Sequence, residues 1–130
     1  MAKRLMDFVA EARSRIVEIN ADKLVELRGQ KPDLLLLDVR EPQEHVAGHI
    51  EGSLNIPRGV LEAAADASYK APHPELSKAH KRPIVVCCAT GGRSALATDV
   101  LQQMGFEEVY NLAGGFEQWK TDNRSVVSGQ

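Results

Sequence analysis

Long apolar runs are missing from this chain of 130 residues. The longest, residues 34–37 and 84–90, fall far short of the ~18 needed to cross a bilayer. At the start of the chain, Asp7, Glu11 and Arg13 stand inside what a secretory signal would keep apolar, and no small-residue cleavage site follows. A cytoplasmic location without membrane association is the expectation. A strong excess of one charge is also missing: the net charge is −2 and the pI about 6.1, with Lys and Arg spread along the chain. That argues against nucleic acid as a partner. Cysteine is scarce, with only Cys87 and Cys88. As sequence neighbours they bridge only at the cost of strain, and in the cytoplasm they stay reduced, so both are available as free thiols. There is no internal repeat or low-complexity tract. No third zinc ligand accompanies His45 and His49, so no metal is expected, and no cofactor is expected either.

What is present is apolar content of 43%, enough for one core, in segments of two alternating periods. Residues 16–19 read as a strand, 21–27 as a helix stopped by Gly29, and 34–39 as a strand buried on both faces. A turn or helix follows at 42–46, a strand at 53–56, an Ala-rich helix at 58–67 and a Pro-rich surface loop at 69–83, with His73 and His80 solvated. Residues 83–88 read as a second central strand, 94–104 as a helix ended by Gly105, and 109–112 as a last strand. Gly114 and Gly115 then turn into a short helix that places Phe116 and Trp119 in the core. The expectation is an α/β fold with a central parallel sheet of about five strands and helices on both faces. An N-terminal helical extension (1–15) would precede a domain over 16–120, and residues 121–130 would form a frayed polar tail.

The chemistry concentrates in V-V-C-C-A-T-G-G-R-S-A. A strand ending in cysteine, a tight glycine-containing loop and a helix start together make a nucleophile seat at the carboxyl edge of a parallel sheet. Gly91 and Gly92 permit the positive φ of an anion-binding nest. The helix dipole and Arg93 favour thiolate over thiol. Counted from Cys88 the motif is C-x4-R; counted from Cys87 it is C-x5-R-S, the spacing of cysteine-dependent phosphatases. Adjacent strand residues point to opposite faces, and the last one before the turn looks into the cradle, which selects Cys88 and assigns Cys87 to packing.

Residues 36–57 (L-L-D-V-R-E-P-Q-E-H-V-A-G-H-I-E-G-S-L-N-I-P), 88–94 (C-A-T-G-G-R-S) and 105–119 (G-F-x-x-V-x-N-L-x-G-G-F-x-x-W) together resemble the single-domain rhodaneses, from about Ile16 to Trp119. The resemblance implies a rhodanese-like sheet and a sulfurtransferase of the thiosulfate type. In it Cys88 would accept a sulfane sulfur from thiosulfate or a persulfide donor and pass it to cyanide or a thiol. The amides of Ala89, Thr90, Gly91, Gly92 and Arg93 would hold the persulfide. Two departures stand out: Cys87 replaces an aromatic or aliphatic residue, and Ala89-Thr90 lacks the cation many members carry there, which weakens thiosulfate as the donor.

Asp38 and Arg40 end the first central strand on the same sheet edge. Arg40 orients substrate or forms an ion-pair network with Glu41 or Glu44, and Asp38, Arg40 and His49 form a candidate supporting layer. His49 is expected to bond backbone in a tight turn. Two competing readings remain: a phosphatase or arsenate reductase using Cys87, and a relay or regulatory module charged with sulfur by a partner protein.

Overall fold

The computed structural model describes all 130 residues. A helix, α1 (Leu5–Arg13), precedes β1 (Val17–Ile19), α2 (Ala21–Gln30), β2 (Leu35–Asp38), α3 (Pro42–Ala47) and β3 (Leu54–Asn55). A 3₁₀ turn (Arg58–Val60) leads into α4 (Leu61–Ala65), and a second one (Leu76–Lys78) precedes β4 (Pro83–Cys87), α5 (Gly92–Gln103), β5 (Glu108–Leu112) and α6 (Gly115–Thr121). The five strands pair in the order β1-β5-β4-β2-β3, all parallel, as the continuously apolar strands anticipate.

Strand alternation divides the core in two. Leu35, Leu37, Val39, Ile84, Val86 and Cys88 pack on one face with Leu61 of α4 and Leu101 of α5. Leu36, Val85 and Cys87 pack on the other with Leu24 of α2 and with Phe116 and Trp119 of α6. Helices thus cover both faces, and all five strands end their carboxyl termini along one edge.

Several local expectations are corrected. α2 runs through Gly29 to Gln30. One helical glycine costs only about 0.5–1 kcal/mol, whereas Pro32 forces the preceding Lys31 out of helical backbone (ψ 91°) and ends the helix there. The 69–83 segment is not all surface: Leu76 and Ala79 are fully buried. Its histidines are engaged as well. His73 Nδ1 accepts the amides of Glu75 and Leu76, and the His80 ring stacks on Phe106 at 4.0 Å. Nor is the tail frayed, because Val127 bridges His49 through two backbone hydrogen bonds of 2.9 and 3.0 Å, and Trp119 Nε1 donates to the Ser125 carbonyl. Helix α1 buries Val9 and Ala12 while leaving Leu5, Met6 and Phe8 exposed. No helix is long and apolar enough to cross a membrane.

Candidate active site

Cys88 follows the last residue of β4, and its Sγ accepts three hydrogen bonds: from the Gly91 amide at 3.1 Å, the Ser94 amide at 3.3 Å and Ser94 Oγ at 3.3 Å. The loop achieves this because Gly91 takes φ 108° in the left-handed region, where a β-carbon would be strained. Gly92, by contrast, is already the first residue of α5, two residues earlier than the apolar periodicity suggests, and needs no positive φ. Gly91 is therefore the N-cap and has no side chain to offer, and the Cys88 sulfur takes the place of the capping acceptor for the third helical amide, that of Ser94. Ser94 is fully buried. Sequence reasoning missed it, since nothing in C-x4-R marks the residue after arginine as a donor.

The remaining loop amides, those of Ala89, Thr90, Gly92 and Arg93, donate to no protein acceptor. The Ala89 side chain is half-buried and Thr90 exposed. Arg93 does not reach the sulfur with a hydrogen bond. Its guanidinium forks onto Glu44 of α3, at 2.8 and 3.2 Å, the bidentate geometry that suits a carboxylate. Glu44 also accepts the Glu41 amide at the start of α3. The hydrogen bond from Arg93 is the main reason its carboxyl is pulled down to about 2, partly opposed by desolvation.

Cys87 points the other way, into the α2/α6 face, where it is 2% exposed. Burial, with Asp38 nearby, pushes its thiol well above the usual range, so it stays protonated. The two thiols thus lie on opposite faces of the sheet, and only Cys88 meets the loop.

Asp38, Arg40 and His49 are gathered one strand over and make no hydrogen bond to the Cys88 loop, although the Val39 amide between the first two donates to the Cys87 carbonyl. Arg40 pairs with Asp38 through Nε at 3.0 Å and Nη2 at 2.9 Å, and donates to the Gly48 carbonyl at 2.7 Å. It also lies 4.4 Å over the Phe116 ring. The ion pair expected with Glu41 or Glu44 is therefore made with Asp38, two residues back, because a buried charge takes the partner that is buried with it. His45 completes the network, its Nδ1 donating to Asp38 at 2.8 Å, and its ring stacks on His49 at 3.7 Å. His49 Nδ1 donates to the His45 carbonyl at 2.7 Å. These groups fix the loop that carries α3, and so the height at which Glu44 meets Arg93.

The largest cleft, about 520 Å³, is lined by Asn55, Val60, Tyr69 and His73 and includes no residue of the Cys88 loop. The sulfur and its converging donors, not this cleft, mark where chemistry is placed.

A family model described as a rhodanese-like domain matches residues 20–122. Thiosulfate sulfurtransferase GlpE of Pseudoalteromonas translucida is 36% identical over 90 residues, which are 69% of this chain and 76% of that protein. Human thiosulfate:glutathione sulfurtransferase is 37% identical over 91 residues, 65% of this chain and 76% of that protein. Among solved structures, a protein of unknown function from Rhodopseudomonas palustris, described as a possible tyrosine phosphatase, matches with a TM-score of 0.87 at 29% identity, covering 98% of this chain and 96% of its own.

Proposed function

This chain belongs to the rhodanese-like domain family and is a sulfurtransferase of the thiosulfate type, and on that premise we propose that it carries a sulfane sulfur on Cys88 between a small-molecule donor and a nucleophilic acceptor. The observation that carries the proposal is the convergence of three donors on the Cys88 sulfur. In the first half-reaction the Cys88 thiolate attacks the outer sulfur of thiosulfate or of a persulfide. The donor's S–S bond breaks, and sulfite or a thiolate leaves with the bonding electron pair. The charge then sits on the terminal sulfur of the Cys88 persulfide, where unpaired amides such as those of Thr90, Gly92 and Arg93 are available to it. In the second half-reaction cyanide or a thiolate attacks that terminal sulfur and returns Cys88 as thiolate. No redox partner is consumed.

Cys88 is 1% exposed, so the loop must open transiently for a donor to arrive. A closed cradle already filled by one sulfur suits a terminal sulfur better than a tetrahedral phosphate ester. A phosphatase or arsenate reductase built on Cys87 draws no support from a protonated thiol packed on the opposite face. Helix α1 (within 1–15) extends the domain over 16–120, and 121–130 fold back onto that domain.

Mass spectrometry after incubation with thiosulfate, and separately with cysteine persulfide, tests the assignment. The protein should gain one sulfur atom, retained in Cys87→Ser and lost in Cys88→Ser. An undiminished gain in Cys88→Ser would sink it. A stable adduct with negligible thiosulfate:cyanide turnover would move the reading to a relay module charged by a partner protein.

A further inference from the structure

Gly91 controls the aim of the cradle, because its amide meets the nucleophile. The carbonyl of the same residue is held from behind. It accepts the Ala95 amide of α5 at 3.1 Å and Asn111 Nδ2 of β5 at 3.2 Å. The other hydrogen of that Nδ2 goes to Glu18 Oε2 of β1 at 2.8 Å. Glu18 in turn faces Arg13 Nε, at the end of α1, at 3.4 Å. Arg13 also lies beside Gly91, for a β-carbon placed there would stand 3.4 Å from its guanidinium, and Val9 sits 3.7 Å from the corresponding point at Gly92. Elements α1, β1 and β5 thus meet behind Gly91, the residue whose amide faces Cys88.

Asn111 is fully buried, and its Oδ1 accepts no hydrogen bond. The amide cannot be turned over, since that would set Oδ1 against two acceptors, the Glu18 carboxylate and the Gly91 carbonyl. A buried oxygen without a partner lowers stability, so an apolar residue of similar size would serve packing better. What asparagine supplies is a fork of two donors, one for Gly91 and one for the group that orients it.

Resting on the reading of Cys88 as nucleophile, we propose that Asn111, oriented by Glu18, is a positioning residue: by holding the Gly91 carbonyl it fixes the turn of that residue, and so the aim of the preceding peptide's N–H at the Cys88 sulfur, with Arg13 of α1 supporting Glu18 from outside. The segment before β1 is then a working part of the site. Asn111 touches neither donor nor acceptor and acts only through Gly91.

Glu18 is the cleanest lever, because its side chain is 33% exposed and lies outside the cradle. Glu18→Gln keeps an oxygen that can accept from Asn111, and Glu18→Ala does not. On the full chain, the rate of sulfur loading from thiosulfate and the rate of Cys88 alkylation by iodoacetamide would be measured beside the thermal midpoint. Removing one preorganised donor outright costs about 10²–10³ in rate, so an indirect loss of aim should cost less. Asn111→Ala should slow both reactions about tenfold and Glu18→Ala about threefold, while Glu18→Gln stays within about twofold of the parent. A role in folding alone would lower the midpoint and leave both rates unchanged. Parental rates in both Asn111→Ala and Glu18→Ala overturn the proposal, as do equal losses in Glu18→Ala and Glu18→Gln. Should Asn111→Ala fail to fold, the Glu18 pair decides. Alkylation or sulfur loading that maps to Cys87 in the parent protein refutes the nucleophile itself, a separate outcome.

Discussion

Gly115 opens α6 with φ 58°, and a β-carbon there would stand 2.6 Å from the carbonyl oxygens of both Cys88 and Ala89 and 2.8 Å from the Ala89 carbonyl carbon. All three are backbone atoms of the segment that ends β4 and begins the cradle. The next two amides of α6 seal this junction, Phe116 donating to the Cys88 carbonyl at 2.8 Å and Glu117 to that of Ala89 at 2.9 Å. Gly115→Ala must therefore drive the two segments apart by close to an ångström. Left-handed backbone costs a residue with a β-carbon about 1–2 kcal/mol, and overpacking against a rigid neighbour about 1–3 kcal/mol more. Together these reach about 2–5 kcal/mol, a large share of the ~5–15 kcal/mol that holds a domain of this size. The displaced Cys88 carbonyl also carries the sulfur out of line with its donors, and a misplacement of about 1 Å can cost about 10²-fold in rate. Urea unfolding should report the stability loss, and sulfur loading at a temperature where the variant is folded should report the rate. Gly29→Ala is the control, since nothing lies within 4 Å of its β-carbon position in α2. The same change there should stabilise by about 0.5–1 kcal/mol. If Gly115→Ala proved as stable as the parent and charged Cys88 at the parental rate, close approach of α6 would not be what sets the nucleophile.

Two further predictions concern charge. The Glu44 carboxyl is lowered to about 2 in the folded chain, so its contribution is fully present above the ordinary carboxylate range and is lost as pH falls from about 4.5 toward 2. Glu44→Gln should lower the thermal midpoint at pH 7, converge with the parent near pH 2, and flatten the slope between; its pair with Arg93 is partly exposed, so the effect at neutrality should not exceed about 1 kcal/mol. An unchanged slope would contradict the ion pair. Asp38→Asn leaves Arg40 buried without its counter-charge, at 5% exposure, and should cost about 3–5 kcal/mol in urea unfolding; a loss under about 1 kcal/mol would show that the Gly48 carbonyl and the Phe116 face alone suffice for Arg40.

What the sequence made legible follows from periodicity and what it hid follows from distance along the chain. Continuous apolar runs at 34–39 and 83–88 marked central parallel strands, and the two-residue alternation that put Leu36 and Leu37 on opposite faces also separated Cys87 from Cys88. The partners of the site residues carried no such signal. Glu44 reaches Arg93 across 49 positions, and Asn111 reaches Gly91 across 20; neither spacing has a period that a linear pattern could reveal. The tail misled for a related reason, since its hold on the domain is mostly backbone, Val127 on His49 and Gly129 on the Val46 carbonyl, and backbone groups have no letter in the sequence.

The start of α5 is where these limits bear most on chemistry. Apolar spacing places the helix from Ser94 onward, and a serine there would serve as its own cap, its hydroxyl turned to the helix amides. The left-handed Gly91 moves the start back to Gly92. Ser94 then becomes the third helical residue, whose amide is one of the first-turn donors left over in any helix. With no side chain at Gly91 to accept it, that amide turns to the Cys88 sulfur, and the Ser94 hydroxyl follows. A shift of two residues in a helix boundary thus changes the nucleophile's environment from two glycine amides and an arginine to one glycine and one serine. Arg93 is released by the same shift to bind Glu44. The cradle is in this sense an unfinished helix cap in which a cysteine from the preceding strand supplies the missing acceptor, and a sulfur seated there keeps its donors only while Gly91 holds its turn.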